Sequence, residues 1–287
     1  MKTTNVITKV VLTAAVIFLS ACGEKTKKTE TAEDTAKEEM MDKAPMYDAS
    51  KPESVLAAIE YAQGGWGDLW AKKDVEYTYN YASGGKVDES TERYVFATEA
   101  SYGHYKQHEI NAMPGAEGNV MQYFDGKETK VMLADKMVED PQANAVGDFL
   151  RRANYFWFVM PYKLNDKGTI AKSLGKEDYN GTSYDKIEIS YDPTITGKEQ
   201  NDVYILYVNP TTKLIDRFFF SLPFLGVNAP VIAANYTYED IEGQKIATKR
   251  NYFMPDAVGA YGEEPSIIQT LTNVKFNNGF TAESIMK

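Results

Sequence analysis

The sequence predicts an α+β domain built on a large, curled antiparallel sheet, a half-barrel of roughly ten strands with helices capping its concave face. Short segments in which apolar and polar residues alternate recur from residue 75 onward. Their connections are short and rich in Gly, Asn and Asp, which makes neighbouring strands antiparallel. One helical pattern precedes these segments and another interrupts them.

The first helix is predicted to begin after Ser50, with Pro52 in its first turn, and to end at Gly64 and Gly65. The strand that follows covers residues 75–82; its apolar and aromatic residues fall on one face, and the polar residues between them fall on the other. That face carries Val75, Tyr77, Tyr79 and Tyr81.

Later segments predict a series of hairpins. The clearest joins residues 120–124 to 129–133 through Asp125 and Gly126. The remaining strands are predicted at residues 93–98, 184–191, 203–208, 214–220, 233–238, 245–253 and 267–276. Between these groups, residues 145–159 have apolar side chains at helical spacing, which predicts a helix leading directly into an aromatic segment.

The N-terminus has the pattern of an export signal that ends in a single cysteine. Its apolar stretch, residues 10–19, is shorter than the about 20 residues that span a bilayer. The end of residues 1–21, Leu19-Ser20-Ala21 before Cys22, resembles the lipobox of bacterial lipoproteins, which implies lipidation of Cys22. An ordinary signal peptide with a chance cysteine is the alternative. Cys22 is the only cysteine, so it has no disulfide partner.

Three regions are therefore expected: a lipoprotein signal peptide at 1–21, the lipidated Cys22 with a flexible charged linker at 22–46, and the folded domain at 47–287. The linker is rich in Lys, Glu and Thr and has few large apolar residues; a solvated helix is its alternative. Gly23-Glu24 does not resemble the Asp signal for inner-membrane retention. A lipid anchor in the outer membrane is expected, with either periplasmic or surface-facing orientation, and a monomeric protein.

Charge and motifs exclude several function classes. The formal net charge of −10 argues against nucleic acid and against a basic patch that docks on anionic lipid. His104 and His108 fall in a strand-like segment, where residues four apart are separated by about 13 Å, so the pair cannot chelate a metal ion. Nucleophile-elbow, Walker and dinucleotide-binding patterns are absent from the sequence, so neither a cofactor nor an enzymatic activity is predicted.

Two aromatic segments are the candidate binding residues. YFWFVMPYKLNDKG begins at residue 155, and FFFSLPFLG begins at residue 218. The candidates for contact with an apolar ligand are Phe156, Trp157, Phe158, Pro161, Phe218, Phe220, Leu222 and Phe224. Leaving such side chains in water forgoes about 1.5–3 kcal/mol each, so something covers them. Three explanations stay open: ordinary core packing, a ligand cavity, and a membrane-touching or partner-docking patch around residues 222–225.

The order of elements resembles the LolA/LolB-like fold of lipoprotein carriers. The resemblance rests on these pieces: the helix ending in Trp157 and Pro161, the hairpin 202–214 with Asn209-Pro210-Thr211-Thr212 at its tip, residues 238–245, and the ending 272–277. FWFVMPYKLNDKG also looks like a signature of uncharacterised Bacteroidota lipoproteins with a domain of unknown function. The resemblance implies a non-catalytic protein that holds lipid or lipoprotein acyl chains in its half-barrel. An envelope glycan- or protein-binding module with a solid core is the alternative, and an undetected hydrolase a third.

Overall fold

Thirteen strands form one antiparallel sheet in the computed structural model, which describes residues 44–197 and 200–286. The strands are β1 (Asp74–Ser83), β2 (Lys86–Val95), β3 (Ala100–His108), β4 (Val120–Phe124), β5 (Thr129–Leu133), β6 (Lys136–Met137), β7 (Thr169–Tyr179), β8 (Thr182–Tyr191), β9 (Tyr204–Val208), β10 (Ile215–Leu222), β11 (Val227–Ile241), β12 (Gln244–Phe253) and β13 (Ile267–Phe276). The prediction of roughly ten strands was too low. Strand β7 escaped it because this edge strand exposes apolar residues such as Ile170 and buries none, so it shows no clear alternation.

The strand order divides the sheet into two wings. Strands β1 to β6 follow one another outward in one direction, and β12 back to β7 follow one another in the other. Strand β13 lies between β1 and β12 and pairs antiparallel with both. The outermost strands, β6 and β7, are not paired with each other, so the sheet is open.

Four α-helices accompany the sheet in the described part of the chain: α1 (Pro52–Gln63), α2 (Trp66–Ala71), α3 (Pro141–Lys163) and α4 (Pro193–Thr196); a 3-10 helix covers Pro223–Leu225. Helix α1 starts after Lys51, because the Ser50 side chain bonds to Asp48 instead of capping the helix. Gly64, with φ of 111°, ends it as predicted. A short helix, α2, that the sequence pattern did not predict begins directly after Gly65, at Trp66.

Helix α3 is longer than the predicted 145–159. Asp140 caps its N-terminus by accepting a hydrogen bond from the backbone N–H of Ala143, and Pro141 follows in the first turn. Pro161 lies inside the last turns of the helix, so it does not end it there. None of the helices in residues 44–197 and 200–286 has the length and apolar composition needed to cross a membrane.

The sheet curls around α3. Trp157 and Phe158 are consecutive, yet the Trp157 ring lies 6.1 Å from that of Tyr204 on β9 while the Phe158 ring lies 5.6 Å from that of Tyr94 on β2. These strands stand six places apart in the sheet, which on a flat sheet is about 29 Å. A helix with its side chains is only about 10–12 Å wide. The two wings therefore bend toward each other, and α3 lies against the concave face.

Two apolar clusters pack α3 to the two wings. Phe158, Val159 and Tyr162 belong to a cluster with the aromatic residues of β1 and β2. Met160 and Leu164 belong to a second cluster with α1 and the strands β8 to β12. The helix thus contacts both wings through different faces, and its orientation decides which of its side chains remain free to line a space between them.

Gly147 allows α3 to approach β5 closely. A Cβ atom at this position would lie 2.5 Å from Cγ2 of Val131, which is buried. We expect Gly147→Ala to lower the free energy of unfolding by about 1–3 kcal/mol, although alanine favours a helix over glycine by about 1 kcal/mol. Gly67→Ala in α2 is the matched control, because its Cβ would meet no atom within 4 Å. Urea unfolding of both variants checks this; equal stability of the two would contradict the close approach.

Candidate binding cavity

A cavity of about 910 Å³ lies between α3 and the concave face of the sheet. The elements around it come from both wings, since β1, β9, β10, β12 and β13 all contribute. Its aromatic walls are Tyr79, Tyr81, Tyr105, Phe149, Phe156, Trp157, Tyr191, Tyr204, Phe220 and Tyr252. Aliphatic side chains add to them: Leu150, Leu222, Leu225, Val227, Ile232, Met254 and Ile267. The lining is thus mainly apolar.

Trp157 is the central aromatic side chain of the wall. Its ring centroid lies 5.0 Å from that of Phe220 and 6.4 Å from that of Tyr252, both in edge-to-face arrangements. Phe156 contacts it edge-on at 5.6 Å. Such pairs contribute about 0.5–1.5 kcal/mol beyond the burial of their area. The wall is therefore a connected aromatic surface.

Two carboxylates of the lining, Asp88 and Asp148, already have partners. Asp88 accepts hydrogen bonds from the backbone N–H groups of Ile110 and Asn111, each at 2.8 Å. Asp148 pairs with Arg152 at 2.9 Å. Because these carboxylates are already paired, they are poor ligands for a cation. The apolar part of the wall therefore determines which ligands the cavity favours.

A buried ion pair holds α3 in place beside the cavity. The Arg151 guanidinium donates to both carboxylate oxygens of Glu92 on β2, at 2.7 and 3.0 Å, and neither side chain is exposed. Arg151 also donates to the Tyr105 hydroxyl and to the side-chain oxygen of Gln122. Gly103 on β3 makes room for the guanidinium, since a Cβ there would overlap it. This network connects α3 to three strands of one wing.

The sequence matches the model of one protein family. A model built for a family of unknown function, DUF6503, matches residues 77–227, just over half of the chain. The chain belongs to the DUF6503 family. The match includes α3 and β10, with Trp157 and Phe220. The predicted likeness to a family with a domain of unknown function is confirmed by this match. No curated protein matches the sequence.

Several solved structures are similar to this DUF6503 chain at low identity. A putative outer membrane lipoprotein-sorting protein domain from Vibrio parahaemolyticus is 9% identical, with a TM-score of 0.47; the match covers 83% of this chain and 97% of that one. A DUF1329 family protein from Desulfovibrio piger is 12% identical, with a TM-score of 0.45 and coverages of 82% and 96%. The Mycobacterium tuberculosis lipoprotein LppX is 14% identical, with a TM-score of 0.28 and coverages of 81% and 100%.

The aromatic residues singled out in the sequence separate into two groups in this DUF6503 domain. Phe156, Trp157, Phe220 and Leu222 line the cavity. Phe158, Pro161 and Phe218 are buried outside its lining. Successive helix residues point about 100° apart, which is why Phe158 turns to β1 and β2 while Trp157 faces the cavity. Phe224 lies in the 3-10 helix, and its side chain is outside the described part of the structure.

Other cavity residues were not identified from the sequence. Tyr79 and Tyr81 were expected on one face of a strand, and the regular spacing of their aromatic rings was the signal that could have suggested a lining. No such signal marked three other lining residues. Tyr252 and Gln269 reach the cavity only through the pairing of β12 with β13, and Asn154 reaches it only through the rotation of α3.

The histidines do not form a metal centre in this DUF6503 chain. Both lie on β3, as the alternation predicted, and the His108 ring nitrogens are near the backbone oxygens of Met113 and Gly118. Within residues 44–197 and 200–286 no three His, Cys, Asp or Glu side chains are grouped to hold a metal ion. Cys22, the predicted lipidation site, lies outside the described residues.

Proposed function

We propose that the domain binds an apolar ligand, a lipid or the acyl chains of a lipoprotein, in the cavity under α3, without covalent chemistry. The observation that carries the proposal is the size and lining of the cavity. Its volume of about 910 Å³ is near the upper end of the range of about 300–1,000 Å³ for small-molecule sites. Aromatic and aliphatic side chains from both wings surround it, which suits a flexible hydrocarbon chain.

Burial of a hydrocarbon chain in the cavity would favour binding. Each buried methylene group contributes about 0.8 kcal/mol, so ten methylenes contribute roughly 8 kcal/mol before the costs of association. Burial of the hydrocarbon chain against the apolar wall would thus be a main source of the binding energy.

The rim of the cavity offers an apolar entrance. Leu225 and Met254 belong to the lining, and their exposed fractions are 63% and 42%. They lie after β10 and β12, two strands separated only by β11 in the sheet. Exposed apolar groups at one edge of a ligand site mark a place where a lipid can pass from a membrane or another protein. This entrance is part of the proposal.

Anchoring would bring the entrance near its source of lipid. We propose that acyl chains on Cys22 attach the protein to the outer membrane and that residues 22–46 connect this anchor to a monomeric domain at 47–287. Several acyl chains on one residue make a stable anchor, whereas one chain is marginal. Metabolic labelling with a clickable palmitate analogue tests this: the label should appear in the wild-type protein and disappear with Cys22→Ser.

Native mass spectrometry tests ligand binding. The protein is expressed from residue 22 with Cys22→Ser, so that no covalent lipid is present, and its mass is recorded before and after organic extraction. We expect an added mass of bound lipid that extraction removes. A clean mass, together with no uptake of a neutral fluorescent probe such as N-phenyl-1-naphthylamine, would overturn the proposal.

Recognition of an envelope glycan is a second candidate, favoured by exposed aromatic side chains outside the cavity. Trp70 is 40% exposed and packs edge-on against Trp66 at 5.2 Å. On the opposite face of β10, Phe219 lies 5.8 Å from Tyr261, which is also exposed. Such rings can stack on sugars. Binding on a glycan array that is lost with Trp70→Ala, by a protein that retains no lipid, would favour this candidate.

A further inference from the structure

Arg250 on β12 is a buried cation without an ionic partner. Its side chain is 2% exposed, and its Nε donates only to the backbone oxygen of Ala247, at 3.2 Å. Its guanidinium carbon lies 5.5 Å from the centre of the Tyr236 ring. Among the described residues no carboxylate pairs with it, in contrast to Arg151, whose charge Glu92 balances.

The groups around Arg250 do not balance its charge. Its charge interacts with the phenols of Tyr77, Tyr79, Tyr236 and Tyr252. Burial raises the pKa of each of these hydroxyls above the ordinary value of 10, so at neutral pH all four are uncharged. A guanidinium stays protonated in proteins. Burying such a charge without a counter-ion is strongly unfavourable.

Arg250 itself is not in the lining of the cavity, but residues next to it are. Tyr79 and Tyr252, two of the four phenols around it, belong to the cavity wall. Gln269, which stands opposite Arg250 in the pairing of β12 with β13, belongs to the wall as well. The guanidinium is thus adjacent to the wall of the cavity that β12 and β13 form.

A second polar group is unsatisfied at the same cavity. Asn154 on α3 lines it and is 9% exposed, and its side-chain amide nitrogen has no hydrogen-bond partner. On the β12 and β13 side of the cavity, Tyr252 donates to the side-chain oxygen of Gln269 at 3.1 Å. Buried polar atoms are nearly always paired. The Asn154 amide nitrogen therefore needs an acceptor that the described residues do not supply.

Three carboxylates near the cavity already have partners. Glu92 is committed to Arg151, Asp88 to two backbone amides and Asp148 to Arg152. An anion with an apolar tail would match both the polar groups near β12 and the apolar wall of the cavity. It would place its charge near β12 and its hydrocarbon along Trp157 and Phe220.

We propose that the ligand is an amphiphile with an anionic head group, a carboxylate or a phosphate, which pairs with Arg250 and accepts a hydrogen bond from Asn154. This inference rests on the proposed function, because it assigns the head group of the molecule whose apolar part the cavity holds. A charge-assisted pair at a buried guanidinium is stronger than a neutral hydrogen bond. Neutral lipids of the same length would bind without this contribution.

Calorimetric titration with three matched ligands tests the proposal. Palmitate, hexadecanol and palmitoyl lysophosphatidate are titrated below their aggregation limits into the protein from residue 22 with Cys22→Ser. We expect at least one anion to bind with a Kd about tenfold or more below that of hexadecanol, as a charge-assisted contact predicts. The tighter anion identifies the head group as carboxylate or phosphate.

Variants separate this inference from the proposed function. Arg250→Met should raise the Kd of the preferred anion by about tenfold or more, and Lys249→Met, an exposed neighbour with the same charge change, should leave it unchanged. If Arg250→Met does not give a cooperative melting transition, Asn154→Leu takes its place with the same expectation. Equal Kd values for palmitate, lysophosphatidate and hexadecanol would overturn the anionic head group while retaining an apolar site. Binding of none of the three would overturn the proposed function itself.

Discussion

Replacing Arg151 with methionine is expected to lower the free energy of unfolding by about 3–5 kcal/mol, because it leaves the Glu92 carboxylate buried without a partner. Neither side chain of this pair is exposed. The substitution also removes the donors to Tyr105 and Gln122, so the contact of α3 with β3 and β4 weakens at the same time. Urea unfolding followed by circular dichroism measures the loss.

The neighbouring ion pair is the matched control. Arg152 and Asp148 form a pair in the same helix, with exposed fractions of 53% and 40%. Arg152→Met should change the free energy of unfolding by less than about 1 kcal/mol. The double variant Glu92→Gln with Arg151→Met should recover part of the stability, since the unpaired charge is gone. Equal effects of Arg151→Met and Arg152→Met would show that the buried pair does not hold the helix.

Two adjacent aromatic residues are expected to separate stability from binding. Phe158→Ala should cost about 3–5 kcal/mol of stability, as for a large buried ring, because Phe158 stacks on Tyr77 and contacts Tyr94 in the core. Trp157→Ala should cost less stability, since the indole is only partly buried, and should weaken probe binding about tenfold or more through the lost aromatic contact. Urea unfolding and titration with N-phenyl-1-naphthylamine measure the two quantities.

The contrast between these variants is the informative result. The folded fraction of Phe158→Ala should bind the probe with unchanged affinity, because Phe158 does not line the cavity. Loss of stability and binding in equal measure for both variants would mean that Trp157 is ordinary core. It would also favour the glycan- or protein-binding alternative.

Local sequence patterns predicted much of the sheet. The hairpin of β4 and β5 was predicted with its observed bounds, since Asp125 and Gly126 encode the turn and apolar residues the strands. Strand β7 was missed because most of its side chains face solvent, and α3 was predicted too short. The first turn of α3 is capped by Asp140, which lies outside the apolar pattern, and Pro161 is tolerated near the end of this helix.

The cavity was less predictable than the sheet. The aromatic composition indicated that the side chains near residues 157 and 220 are shielded from water. It did not indicate whether other core residues or a ligand shield them. Whether a helix residue faces a cavity depends on small rotations of α3, which the buried pair of Arg151 and Glu92 helps to set. Arg250 carries no local motif, and its lack of an ionic partner is visible only once β11, β12 and β13 are assembled.

The central position of β13 has a consequence for how the domain folds. Every other strand pair joins neighbours along the chain, whereas β1 pairs with β13, as in the match of Val75 with Phe276. Local hairpins form quickly, and contacts between distant residues form slowly because a long loop must close first. Each wing can therefore assemble early, and the domain is completed only when the segment 267–276 is inserted between them. Until then both wings have an unpaired central edge, which makes this last step the one most exposed to aggregation.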